Sequence, residues 1–184
     1  MLIIFIVLIV LAIPFVVALF VKKSYSVERE IMINRPKQVV FDYLKFLKNQ
    51  DKFSKWATLD PNMKKEYRGI DASIGFVSAW ESQNKNVGKG EQEIRKITDG
   101  KRIDFEIRFM KPFAGVANAY MTTDSMSRSE TIVNWGFDSK MNYPMNLMLL
   151  FNIEKTIGND LSTGLANLKK QLENKKSEEW LYNN

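Results

Sequence analysis

The chain has 184 residues and a net charge of +6, from 27 basic and 21 acidic side chains, and contains neither cysteine nor histidine. The missing cysteine excludes a disulfide framework, a thiolate nucleophile and a thiolate metal site; the missing histidine excludes an imidazole base, an imidazole ligand and a Ser-His dyad. Carboxylates, lysines, tyrosines and hydroxyls are what remain for chemistry, so no cofactor and no metal site is expected, and the length allows one membrane segment plus a single domain of about 160 residues.

Residues 1–21, MLIIFIVLIVLAIPFVVALFV, carry no charged or strongly polar side chain. As a helix rising about 1.5 Å per residue they cover the roughly 30 Å hydrocarbon core of a bilayer, and Pro14 is tolerated there with at most a kink. The segment reads as a single-pass transmembrane anchor. A cleaved signal peptide is the alternative, because Ser24-Tyr25-Ser26 loosely fits a small-x-small cleavage site. A signal peptide, however, carries its basic residues before the apolar run, whereas Lys22 and Lys23 follow it. By the positive-inside rule the same two lysines place the domain in the cytoplasm. Residues 22–25 form a short linker, and the five residues 22–26 reach about 17 Å at most, so the domain sits against the headgroups. A basic domain held there reads as attracted to anionic lipid; no nucleic-acid motif accompanies the charge.

Residues 26–33 alternate as a strand and Asn34-Arg35-Pro36 turns the chain into a helix over 36–47, with Val39, Val40, Tyr43, Leu44 and Leu47 at helical spacing. A second short helical piece covers 49–56. Six strand-length segments follow, at 64–68, 75–81, 88–97, 102–110, 115–124 and 130–138, which in succession imply an antiparallel meander. The clearest is 102–109: Ile103, Phe105, Ile107 and Phe109 share one face, and Arg102, Asp104, Glu106 and Arg108 the other. A long amphipathic helix is expected over 147–173, with Leu150, Ile153, Ile157, Leu161, Leu165, Leu168 and Leu172 at threes and fours. The tail, 177–184, carries Trp180, Leu181 and Tyr182 without periodicity and reads as frayed, with aromatics able to touch the membrane interface.

This order of elements, with the stretches DPNMKKEYRGID, GFVSAWESQNKNVGKGEQEI and IGNDLSTGLANLKKQLE, resembles the SRPBCC superfamily, in its polyketide cyclase/dehydrase-like branch of START-related, Bet v 1-like domains. The resemblance covers residues 25–175. It implies an α+β helix-grip fold over 26–176: a curved, antiparallel seven-stranded sheet wrapped around the long C-terminal helix, with two short helices after strand one and the transmembrane helix in front. It also implies a cavity between sheet and helix, used in that superfamily for lipids, sterols, polyketides or other apolar molecules.

For the lining of such a cavity the inward positions nominate Trp56, Phe76, Trp80, Phe105, Phe109, Tyr120, Trp135, Met145, Met148 and Phe151; the competing reading is that these side chains are core. Residues 141–148, with Tyr143 and Pro144, form a methionine-rich lip, because methionine fills irregular space adaptably. Gly88 and Gly90 share a strand face and favour a bend over a ligand seat; the run from Val87 to Gly90 lacks the spacing of a phosphate loop. Gly158 and Gly164 weaken the long helix, which a close approach to the sheet or cavity explains. Asp104 and Glu106, flanked by Arg102 and Arg108, read as a solvated ion-pair row. Glu81, beside Trp80, and Tyr120 are the two acid-base candidates. The sequence therefore leads to a membrane-anchored domain that binds a small apolar or amphipathic, lipid-like molecule. The alternatives are a cyclase- or dehydratase-type enzyme on an apolar substrate, and a protein-interaction module with a dry, closed core.

Overall fold

The computed structural model describes residues 2–174; the aromatic tail at 177–184 lies outside the described residues. The apolar N-terminal segment forms α1 (Leu2–Phe20), then β1 (Ser24–Ile33), α2 (Lys37–Lys45), a 3₁₀ helix (Leu47–Lys52) and α3 (Lys55–Leu59). Strands β2 (Lys64–Arg68), β3 (Val77–Glu81), β4 (Lys89–Thr98), β5 (Arg102–Lys111), β6 (Gly115–Ser125) and β7 (Thr131–Lys140) meander, and a second 3₁₀ helix (Met145–Phe151) leads into α4 (Ile153–Asn174). The seven strands make one antiparallel sheet in the order β1-β7-β6-β5-β4-β3-β2. This is the helix-grip architecture: the sheet curls around α4, whose buried stripe of Leu161, Leu165, Leu168 and Leu172 faces Ile33, Ile94, Ile103, Met121 and Val133 in the core. Burying each of those leucines stabilises the fold by about 2 kcal/mol.

The two ends of this grip differ. At one end α2 closes the interior with Val40, Phe41, Tyr43 and Leu44. There Thr131 Oγ1 donates to Arg35 O at 2.8 Å, and the Arg35 guanidinium donates to the last carbonyls of α4, Leu172 O at 2.8 Å and Glu173 O at 3.0 Å. A cation on those carbonyls satisfies orphan acceptors and complements the helix dipole. At the other end lie the paired strand termini Ser24 and Lys140, Lys89 and Lys111, and Lys64 and Glu81; α1 joins the domain here.

Of the boundaries that depart from the sequence reading, three have a visible cause. Strand β1 starts at Ser24 rather than at 26, because Ser24 pairs with Lys140 and Lys23 O accepts from Met141 N at 2.7 Å, leaving residues 21–23 between α1 and the sheet. Strand β3 starts at Val77 rather than at 75, because Gly75 turns with φ +87°. The long helix starts at Ile153 rather than at 147: Asn152 is left-handed, φ +56°, which no continuous α-helix accommodates, and Leu150 falls on an exposed 3₁₀ turn instead of the buried stripe.

Candidate functional site

A cavity of about 1370 Å³ opens at the end of the grip where α1 joins, between the concave sheet face, α3 and the first turns of α4. Its size comes from a thinning of the core along each strand. On β5, Ile103 and Phe105 are sealed in the core, whereas Ile107 and Phe109, on the same face but nearer the open end, line the cavity. On β7, Trp135 and Phe137 line it and Val133 does not.

The apolar wall is built by aromatic rings seated on glycines. Trp135 stands edge-on to Phe53 (5.7 Å between centroids) and to Trp56 (6.3 Å), and a Cβ at Gly164 would lie 2.6 Å from its Cζ3. Trp80 stands edge-on to Phe109 at 6.4 Å, lies over Gly90, and satisfies its indole N–H by donating to Val87 O at 3.2 Å. Gly90 is therefore the seat of a ring, and the register shift between Lys89 and Gly90 is the bend expected there. Gly88, at φ +65° with Lys111 O 2.1 Å from where its Cβ would stand, tolerates no side chain.

Polar groups line the same interior beside the rings: Lys65 is the strand partner of Trp80, and Gln92 lies between Ser78 and Ile107. Gln92 Nε2 donates to Gln50 Oε1 at 3.0 Å, Lys65 Nζ pairs with Asp51 Oδ1 at 2.6 Å, and buried Ser54 and Ser78 lie beside them. Asp51 also accepts from Tyr67 Oη at 2.5 Å, and burial together with that hydrogen bond pushes the Tyr67 phenol well above its ordinary range. Burial likewise raises Tyr25, which lines the cavity beside Phe137. The rim carries Lys22, Lys85, Lys111 and Lys140, the β5–β6 hairpin with Phe113, and the methionine lip with Met141, Met145 and Met148. Among the described residues no three carboxylates gather to hold a metal ion.

Of the residues nominated from sequence, the fold brings Trp56, Trp80, Phe109, Trp135, Met145 and Met148 to the cavity. Phe76 and Phe105 are packed in the core, because their positions lie toward the closed end. Phe151 points outward, 77% exposed, on the 3₁₀ turn that ends at the left-handed Asn152, and does not line the cavity. Tyr120 is on the convex face: its ring covers Gly136, Arg102 lies 3.8 Å from its centroid, and its hydroxyl donates to Glu28. That bond to a carboxylate pushes the phenol up to about 12. Glu81 does not line the cavity either; it pairs with Lys89 at 2.9 Å, which holds its carboxyl below the usual range. The row on β5 is an ion-pair network as expected: Arg102 binds Asp104 at 2.7 Å, and Arg108 binds Glu91 at 2.7 Å, Glu93 at 2.8 Å, and Glu106. Sequence reasoning missed Gln50, Asp51 and Lys65, which sit on a 3₁₀ helix and a polar edge strand without periodicity. Ile107 and Gln92 were legible in principle, since each alternates with a named neighbour, Phe109 and Gly90.

No curated protein matches the chain. Among solved structures it is similar in fold to norcoclaurine synthase from Thalictrum flavum, in complex with dopamine and hydroxybenzaldehyde, at TM-score 0.62 and 10% identity over 84% of this chain and 90% of that one. A Chromobacterium violaceum protein superposes at TM-score 0.59 with 12% identity over 82% and 98% of the two chains. The ginseng major latex-like protein 151 from Panax ginseng does so at TM-score 0.57 with 13% identity over 82% and 98%. Residues 24–173 match the family model for polyketide cyclase / dehydrase and lipid transport. The chain belongs to that family, whose fold commonly binds hydrophobic ligands.

Proposed function

We propose that the protein is a single-pass membrane protein whose cytoplasmic domain takes a small hydrophobic or amphipathic, lipid-like molecule into the cavity between sheet and α4. The observation that carries this reading is the coincidence of the cavity mouth with the end of the sheet that bears α1. That helix is 19 residues long, contains no charged residue and leaves its apolar side chains exposed all round. Its length, about 28 Å, suits a bilayer core. The cavity lining combines aromatic rings with hydrogen-bonding groups at neighbouring positions, a composition that suits a ligand with both apolar and polar parts. An interaction module with a closed core does not account for 1370 Å³ of open interior. An enzyme reading would draw its acid and base from Asp51 and Lys65, the ion pair inside the cavity, rather than from Glu81 or Tyr120.

The test is native mass spectrometry of the full chain released from lipid nanodiscs, with extraction and identification of any small molecule retained. A discrete apolar adduct is expected, and it should be lost in Ile107→Trp, which fills the cavity from its wall. Equal adducts on both proteins would place the molecule elsewhere and overturn the reading. A reporter fused after Asn184 tests the cytoplasmic side.

A further inference from the structure

The segment between β7 and α4 is pinned to the anchor at both ends. Asn146 is fully buried, and its Nδ2 donates to Ala18 O at 2.7 Å, a carbonyl that the last turn of α1 leaves without a helical partner, and to Val21 O at 2.9 Å just after that helix. Eight residues on, Glu154 pairs with Lys22 at 2.5 Å. A helix end near the edge of a bilayer finds little water for its carbonyls, so an amide supplied by the domain fits that depth. Between the two pins, Leu150 is 58% and Phe151 77% exposed, while Met145 and Met148 of the same 3₁₀ turn line the cavity. Leu19 and Phe20 at the end of α1 are exposed, α1 is in contact with this turn, and Lys22 and Lys23 follow directly.

We infer that the 3₁₀ helix Met145–Phe151 is a second membrane contact. Leu150 and Phe151 insert into the bilayer that α1 spans, and the methionines behind them form a passage by which an apolar ligand moves from the bilayer into the cavity without crossing water. The occupant of this surface is lipid, argued from its contact with α1 and its fixed level at the end of that helix; the inference rests on the reading of α1 as a membrane span.

Because the chain has no cysteine, single cysteines can be placed at will. Full-length Phe151→Cys, Phe20→Cys and Met126→Cys, each carrying an environment-sensitive fluorophore, are put into nanodiscs containing phospholipid with a doxyl quencher just below the headgroup. Met126 is also exposed, at 60%, but lies beyond β6, at the closed end of the grip. The expected result is a blue-shifted emission at 151 and quenching comparable to that at 20, several-fold above that at 126. Quenching at 20 with none above background at 151 would overturn the inference and leave the anchor standing. A blue shift at 151 without quenching would mean that a second copy or another protein covers the turn, and would overturn it too. Absence of quenching at both positions would bring down the anchor reading and this inference together.

Discussion

Alanine in place of glycine inside a helix ordinarily stabilises it by about 0.8–1.0 kcal/mol. In α4 the same substitution at two positions has opposite expected signs. At Gly158 the new methyl would stand 2.1 Å from the Arg29 guanidinium. That is the far end of a long, half-buried side chain on an edge strand, held by a hydrogen bond to the Glu28 carbonyl at 2.7 Å, and it can swing away at the loss of that bond. Most of the propensity gain is spent on moving the arginine, and Gly158→Ala is expected to be neutral or slightly stabilising, by up to about 0.5 kcal/mol. At Gly164 the methyl would stand 2.6 Å from Trp135 Cζ3 and 3.4 Å from Cη2. Trp135 is buried and wedged edge-on against Phe53 and Trp56, so the ring has nowhere to go except into the cavity. Overpacking of this kind costs about 1–3 kcal/mol, which matches or exceeds the propensity gain. Subtracting the propensity gain leaves a net destabilisation of about 0–2 kcal/mol, a fall in Tm of up to roughly 8 °C for a domain of this size. Thermal unfolding of the full chain in nanodiscs, followed by near-ultraviolet circular dichroism, reads both the midpoint and the environment of the tryptophans. A Gly164→Ala protein as stable as the parent, with an unchanged tryptophan signal, would refute the assignment of that glycine as the seat of Trp135.

Asn146→Leu removes both hydrogen bonds to the end of α1 and strands two carbonyls, a loss of about 2 kcal/mol, partly offset because the Asn146 Oδ1, buried without a partner, disappears as well. Hydrogen exchange should quicken around residues 18–23 and 145–151 and stay unchanged in β4 and β5; uniform protection would mean that the amide does not join α1 to the lip. Tyr43 and Tyr120 both have phenols pushed up to about 12, the first by burial and the second chiefly by its hydrogen bond to Glu28. A raised acid pKa stabilises the folded protein below the unfolded value near 10.0 and that contribution is lost as pH rises toward 12, so the fold should weaken across this window. In Glu28→Gln one late-titrating phenol should move down toward 10.0 in a spectrophotometric titration while Tyr43 stays; two unmoved phenols would contradict the Tyr120–Glu28 pairing.

The elements themselves were legible because they depend on local pattern. An uncharged apolar run of 21 residues, the strict alternation from Ile103 to Phe109, and leucines at threes and fours from Leu161 to Leu172 are each enough to specify a long apolar helix, a half-buried strand and an amphipathic helix. Glycines at 158 and 164 announced close approaches for a similarly local reason. Depth along the strand was not legible. Alternation gives parity, so Phe105 and Phe109 looked alike; what separates them is that α2 plugs one end of the sheet, whereas the cavity opens among the described residues at the other. Parity also leaves open which face is concave, so Tyr120, a large aromatic on a strand, was taken for a lining residue when it covers Gly136 on the outside. The polar part of the lining depends on Asp51 meeting Lys65 across 14 positions of sequence, and the lip depends on Asn146 meeting Ala18 across 128. Such pairings are decided when the sheet closes around α4, because hydrogen bonds between distant segments leave no period in the sequence that makes them.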